Sequence, residues 1–247
     1  MKCPAPGLRR TERRGDGAAA GRARASGPHR AVIFDLGRVL IDYDWGRAFR
    51  RAARWTRLGA RETERRWRAD RALPRFETGR MTPRQYHAHM QRVMGARMPY
   101  PEFRRLWCSI FTREIRSVAR LARDLQRRGQ ARVAVLSNTN VLHAQFLRRR
   151  WPLLGELRHV FLSHEIGFRK PDPAAYRYVL RRLGLPPRAV IFVDDLRENV
   201  AVARKLGMCA VWARSPRAVA AQLARLGLRP SPRAAARPSP SRRRRGC

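Results

Sequence analysis

Five short apolar runs constrain this chain more than any other feature: "AVIF" at 31–34, "ARVAVLSN" at 131–138, "HVFLS" at 159–163, "AVIFVDD" at 189–195 and "CAVWA" at 209–213. Each is short for a helix and too continuously apolar for a strand with one wet face, so each reads as a strand buried on both sides. Amphipathic stretches separate them, including "SVARLARDLQRRG" (117–129), "PAAYRYVLRRLG" (173–184) and "ENVAVARKLG" (198–207). Strands alternating with helices predict an α/β fold: a doubly wound, Rossmann-like parallel sheet with helices on both faces.

One interval breaks the alternation. From Trp45 to about Arg116 there is no strand-like run, only amphipathic segments. "TPRQYHAHMQRVMG" carries helix punctuation, with Thr82 as N-cap, Pro83 at the first helical position and Gly95 as the stop. A simple crossover between parallel strands needs one helix, so this longer insertion after the first strand predicts a small helical cap. The expected organisation is an α/β core over 30–44 and 117–228, a helical cap over 45–116, and Arg/Pro/Ser/Ala/Gly-rich tails at 1–29 and 229–247. The tails have no apolar period and are expected to be disordered.

Lys and Arg together number 56 against 18 Asp and Glu, a formal net charge of +38. Only Lys2, Lys170 and Lys205 are lysines, and the arginines cover both ends and every helix-like segment. This reads as a bias of the whole chain rather than a dedicated nucleic-acid surface, and no RNA-module or helix-turn-helix pattern stands out. Non-specific polyanion binding through the basic tails is the expected consequence. Cys3, Cys108, Cys209 and Cys247 are far apart and form no CxxC pair, so neither a zinc site nor a disulfide framework is indicated. No apolar run approaches the roughly 18 residues that would span a bilayer. A cytoplasmic, reducing setting is expected. Glu12, Asp16 and scarce serine argue against an organelle transit peptide.

Ligands of open parallel sheets bind beyond the carboxyl ends of the strands. Four features fall at such ends: Asp35, the trio Ser137, Asn138 and Thr139, Lys170, and the pair Asp194 and Asp195. Two adjacent acids ending an apolar strand are costly unless a cation or hydrogen bonds hold them. A lysine before "PDP", in a chain that otherwise uses arginine, suggests a site needing a compact ammonium rather than a planar fork. His87 and His89 lie two apart on one helix and do not face each other as metal ligands would. Trp45, Trp55 and Trp67 read as cap-core residues. Arg38 and Arg169 adjoin the motif residues, where either could touch a substrate.

In order, "FDLGRVL", "VLSNTN", "GFRKPDP" and "FVDDLREN" resemble the four motifs of the haloacid dehalogenase superfamily, Mg²⁺-dependent phosphohydrolases with an α/β core and an inserted cap. The resemblance spans about Ala31 to Leu228. It implies Asp35 as nucleophile forming an aspartyl phosphate, and Ser137 and the backbone around Asn138 as donors to the phosphate. It implies Lys170 offsetting charge, Mg²⁺ held by Asp35, the Gly37 carbonyl, Asp195 and Asp194, and Asn199 completing the fourth motif. The motif wording is closest to bacterial phosphatases of the α-D-glucose-1-phosphate type, so the expected substrate is a small phosphorylated metabolite such as a sugar 1-phosphate. Two rivals are a 2-haloacid dehalogenase-like hydrolase and a nucleic-acid-binding protein on a degenerate scaffold of the same kind. Dehalogenases of the superfamily need no metal, so the acid pair favours the phosphatase.

One departure stands out. Phosphatases of this superfamily mostly carry a second aspartate two residues after the nucleophile, as general acid and base, and this chain has Gly37. Such a group contributes on the order of 10² to 10⁴ in rate. Asp42 and Asp44 are nearby, but are read as serving the turn after the first strand. An anomeric sugar hydroxyl leaves more easily than an ordinary alcohol, which is consistent with the glycine.

Overall fold

A computed structural model describes residues 29–228. The expectations for tails 1–28 and 229–247 lie outside the described residues.

Seven strands form: β1 (Ala31–Phe34), β2 (Ile41–Tyr43), β3 (Phe111–Glu114), β4 (Arg132–Ser137), β5 (His159–Leu162), β6 (Val190–Asp194) and β7 (Cys209–Trp212). Five of them make a parallel sheet in the order β5-β4-β1-β6-β7. These are the five apolar runs. Successive strand residues point to opposite faces, and the two faces have separate cores. Val32, Phe34, Val133, Val135, Ile191 and Val193 pack on one side with Leu121, Leu125, Val219 and Leu223 from the helices Arg116–Arg127 and Pro216–Arg225. Ala31, Ile33, Leu136 and Phe192 pack on the other with Tyr176, Val179 and Leu183 from the helix Pro173–Leu183, and with Ala203 from Arg197–Lys205. Both faces are covered, which is why the strands are apolar throughout rather than alternating.

Chain connections leave β1 for β4 and β5 on one side and later cross to β6 and β7 on the other. The switch in direction falls between β1 and β6. Asp35 directly follows one of these strands and Asp194 ends the other.

Between β2 and β3 lie the helices Trp45–Ala52, Ala60–Arg68, Leu73–Glu77, Pro83–Met94 and Tyr100–Cys108. They enclose a third core of Phe76, Tyr86, Met90, Met94, Phe103 and Trp107, which also takes in Leu142 from the core helix Val141–Arg150. The helix Pro83–Met94 starts and stops as its sequence predicts. Thr82 and Gln85 form a reciprocal capping box, and Gly95 ends the helix in the left-handed region at φ 56°. One expectation fails: the interval 45–116 is not free of strands, because Phe111–Glu114 forms β3 and pairs antiparallel with β2. Both strands are three or four residues long, half-exposed and partly charged ("IDY", "FTRE"), so no apolar run marks them. The pairing brings the start and end of the insertion side by side. Among the described residues, no helix is long and apolar enough to cross a membrane.

Candidate active site

The carboxyl ends of β1, β4 and β6, with the loop after β5, gather Asp35, Ser137, Asn138, Lys170, Asp194, Asp195 and Asn199 around a cavity of about 300 Å³. Asp194 is fully buried and not among the lining residues; it meets the site through Lys170. Lys170 is buried, and its Nζ donates to Asp35 Oδ1 at 2.6 Å and to Asp194 Oδ2 at 2.7 Å. Asp194 is saturated further by Asn199 Nδ2 at 2.9 and 3.1 Å and by the Leu196 backbone N–H at 2.9 Å. Asp195 is half-buried and forms no ion pair among the described residues. Of the two adjacent acids, Asp194 therefore anchors Lys170, and Asp195 keeps its carboxylate for a ligand.

One oxygen from each of Asp35, Asp194 and Asp195 lies within 4.8 Å of the others. Burial raises the Asp35 pKa to about 7, with Lys170 opposing and Asp194 and Asp195 adding to the rise. Burial likewise raises Asp195, with Asp194 second. Burial works against the Lys170 ammonium, but Asp35 and Asp194 raise its pKa all the same, so it stays charged. Three carboxylates are met by one ammonium. The surplus negative charge, offered by hard oxygens in a compact cluster, fits a small divalent cation such as Mg²⁺.

The remaining residues named from the sequence take definite places. Asn138 uses its side chain on the Lys170 backbone, donating from Nδ2 to the Lys170 carbonyl (2.7 Å) and accepting from its N–H at Oδ1 (2.8 Å). It therefore positions the lysine. Ser137 is buried, lines the cavity and makes no side-chain hydrogen bond within the described protein. Arg169 turns away from the carboxylates to Glu77 on the helical insertion, Nε to Oε2 at 3.0 Å. Arg38, at φ 54°, carries its guanidinium over the Tyr43 ring, 5.1 Å from the centroid. Asp44 caps the helix Trp45–Ala52 by accepting from the Gly46 N–H, and Asp42 accepts from the Tyr43 N–H. Neither sits in the turn after β1 that the sequence predicts for them: Asp42 belongs to β2 and pairs with Arg113 on β3, and Asp44 starts the first helix of the insertion. His87 and His89 diverge, one bound to the Met98 carbonyl and the other to Asp70.

Sequence reasoning missed two features of the cavity. A Cβ on Gly37 would lie 2.7 Å from Tyr43 Cε1, so the tyrosine ring fills the space a side chain at this position would need. The Tyr43 phenol is held protonated by burial and then by the charges of Asp195 and Asp35. The second is His143, buried at the cavity wall with its pKa lowered by burial to about 4, its Nε2 against the Trp107 carbonyl at 3.0 Å. It is neutral at ordinary pH. Tyr43 reaches the site from β2, and His143 from the first turn of the core helix Val141–Arg150, where its ring meets Trp107 of the insertion.

A switch-point aspartate bonded to a buried lysine, beside an adjacent acid pair, sits on a doubly wound parallel sheet with a helical insertion after its first strand. The chain belongs to the haloacid dehalogenase-like hydrolase family, whose model matches residues 29–207. Three curated relatives each align over more than two thirds of this chain. Phosphatase MT3486 of Mycobacterium tuberculosis is 31% identical, covering 72% of this chain and 84% of the relative. The sesquiterpene phosphatase astK of Aspergillus oryzae is 30% identical (72% and 87%), and the D-ribitol-5-phosphate phosphatase of Bacteroides thetaiotaomicron 23% (71% and 87%). Among solved structures, a HAD family enzyme from Bacteroides thetaiotaomicron, crystallised with magnesium and inorganic phosphate, superposes with a TM-score of 0.67. It is 24% identical, with 74% of this chain and 93% of that one covered.

Proposed function

We propose that this protein is a Mg²⁺-dependent phosphatase that hydrolyses a small phosphate monoester through an aspartyl phosphate on Asp35. The observation that carries the reading is the junction of Lys170 with Asp35 and Asp194 beside the unpaired Asp195. Lys170 holds Asp35 Oδ1, which leaves Oδ2 to attack phosphorus. The Oδ2–P bond forms as the ester P–O bond breaks, and the alkoxide departs and takes its proton from solvent water. Water then cleaves the acyl phosphate, releasing inorganic phosphate and regenerating the Asp35 carboxylate. Lys170 offsets charge on the nucleophile in both halves, and the free Ser137 hydroxyl donates to a phosphate oxygen. Asp35, Asp195 and the Gly37 carbonyl would hold Mg²⁺, with Asp194 next to them. When bound, the cation offsets the repulsion between carboxylate and phosphate.

The relatives support phosphate ester chemistry, and their named substrates run from a polyol phosphate to a sesquiterpene. A sugar 1-phosphate, suggested by the motif wording, belongs in the first substrate set. The test is phosphate release from p-nitrophenyl phosphate and glucose 1-phosphate, with Mg²⁺ or with EDTA, by the native protein and Asp35→Asn. Release is expected only with Mg²⁺ and only from the native protein. Activity in a folded Asp35→Asn variant would overturn the mechanism. Metal-free chloride release from 2-chloropropionate would move the chain to the dehalogenases.

A further inference from the structure

The cavity above Asp35 is asymmetric. Its floor is charged, whereas its insertion side carries Trp45, Trp67, Leu73, Trp107 and Phe111. The Trp45 ring centroid lies 4.3 Å from that of Trp67 and 5.1 Å from that of Trp107, which makes one continuous aromatic wall. The same three tryptophans line a second hollow of about 60 Å³, beyond which stand Met90, Met94 and Met98. Polar side chains flanking the wall are already engaged. Glu77 is paired with Arg169, and Asn140 Oδ1 accepts from the His143 backbone N–H and from the Trp107 indole. The ring of His143 is bonded through both nitrogens, to the Trp107 carbonyl and to Asn140.

A sugar or polyol leaving group brings several hydroxyls that need partners once they leave water, and unpaired buried hydroxyls are penalised. Against several hydroxyls, the side chains of this wall offer no acceptor and one buried donor without a partner, the Trp67 indole N–H. Aromatic rings and methionines instead suit hydrocarbon, which gains from burial without needing directed partners. We infer that the phosphatase site proposed above, on which this step rests, takes the monophosphate of an apolar alcohol. Its phosphoryl group would sit over Asp35 and its hydrocarbon along the Trp45–Trp67–Trp107 wall toward the methionine-lined hollow.

The inference is read from a series of n-alkyl phosphates, ethyl to hexyl, with the full-length protein and Mg²⁺. Leaving-group acidity is nearly constant across such a series, so the trend isolates the wall. Each added methylene is expected to raise kcat/KM about three- to fourfold, chiefly through KM, until the cavity is full. Pentyl phosphate should exceed D-ribitol 5-phosphate, the same carbon chain with hydroxyls, by at least tenfold. Trp67→Gln should flatten the series; if that variant does not fold, the native series decides alone. A flat alkyl series, or preference for the ribitol ester, with p-nitrophenyl phosphate still hydrolysed, would overturn the inference and leave the phosphatase reading standing. If no ester is hydrolysed, the phosphatase reading fails. Tryptophan fluorescence quenching by hexylphosphonate against ethylphosphonate then tests the wall by binding: equal affinities overturn the inference, and a tighter hexyl compound supports it.

Discussion

Gly37 and Tyr43 form a matched pair, one lacking the side chain whose space the other occupies. The backbone at Gly37 is outside the left-handed region, so conformational strain does not demand glycine there. The obstacle to a general acid at this position is the Tyr43 ring. Gly37→Asp alone should slow all esters alike, because the new side chain displaces Tyr43. Gly37→Asp with Tyr43→Ala should recover esters of poorly leaving alcohols by at least tenfold relative to p-nitrophenyl phosphate, part of the 10² to 10⁴ or so that a positioned acid contributes. A Brønsted plot of the single and double variants measures it, and an unchanged slope in the double variant would mean that the proton comes from elsewhere. His143 offers a stability test. Its folded pKa is about 4 against an ordinary 6.5. The unfolded chain therefore takes up a proton that the folded one refuses, and the contribution present above pH 6.5 is lost as pH falls toward 4. The loss reaches about 3 kcal/mol. Urea midpoints at pH 7.5 and 5 should diverge more for the native protein than for His143→Gln. Asp35, Lys170 and the acid pair were legible in the sequence because charged residues at the ends of apolar strands are conspicuous. Tyr43 and His143 were not, since nothing in "IDYD" or "VLHAQ" distinguishes a cavity wall from an ordinary turn or helix.

Among the elements, the five sheet strands could be read directly because burial on both faces leaves no polar residue to blur them. β2 and β3 escaped because a two-stranded ribbon with exposed residues is specified by pairing rather than by hydrophobicity. Two of the insertion's helices, Trp45–Ala52 and Pro83–Met94, add local caps, at Asp44 and Thr82, to the packing of their shared core. The capping box at Thr82 satisfies backbone donors that packing does not reach. Thr82→Ala should therefore cost about 1 kcal/mol, within the usual range for losing such a cap. Since Tyr86 and Met90 on this helix contribute to the insertion's core, the loss should show as a lower melting temperature. The Arg169–Glu77 ion pair, by contrast, joins core to insertion directly, with Glu77 buried enough that desolvation raises its pKa despite Arg169.

At the scale of the whole molecule, the charge is not a property of the tails. Residues 1–28 and 229–247 hold 14 of the 56 basic and 2 of the 18 acidic residues, which leaves a net +26 on residues 29–228. A protein trimmed to 29–228 should keep its steady-state constants, because every residue assigned a role at the site lies within that range. It should elute from heparin at lower salt than the full chain yet still be retained, reflecting the arginines that remain. Elution with the flow-through would place polyanion binding in the tails alone. The ribbon of β2 and β3 has a different kind of consequence. Ile41 lies opposite Glu114 and Tyr43 opposite Phe111, so the helical insertion leaves and rejoins the core through neighbouring strands, about 5 Å apart. An inserted unit with adjacent ends and a hydrophobic core of its own is a cassette. Lineages could exchange it whole, retaining the hydrolytic floor while replacing the roof, and an engineer could do the same by grafting between residues 43 and 111, provided the replacement again covers Leu142.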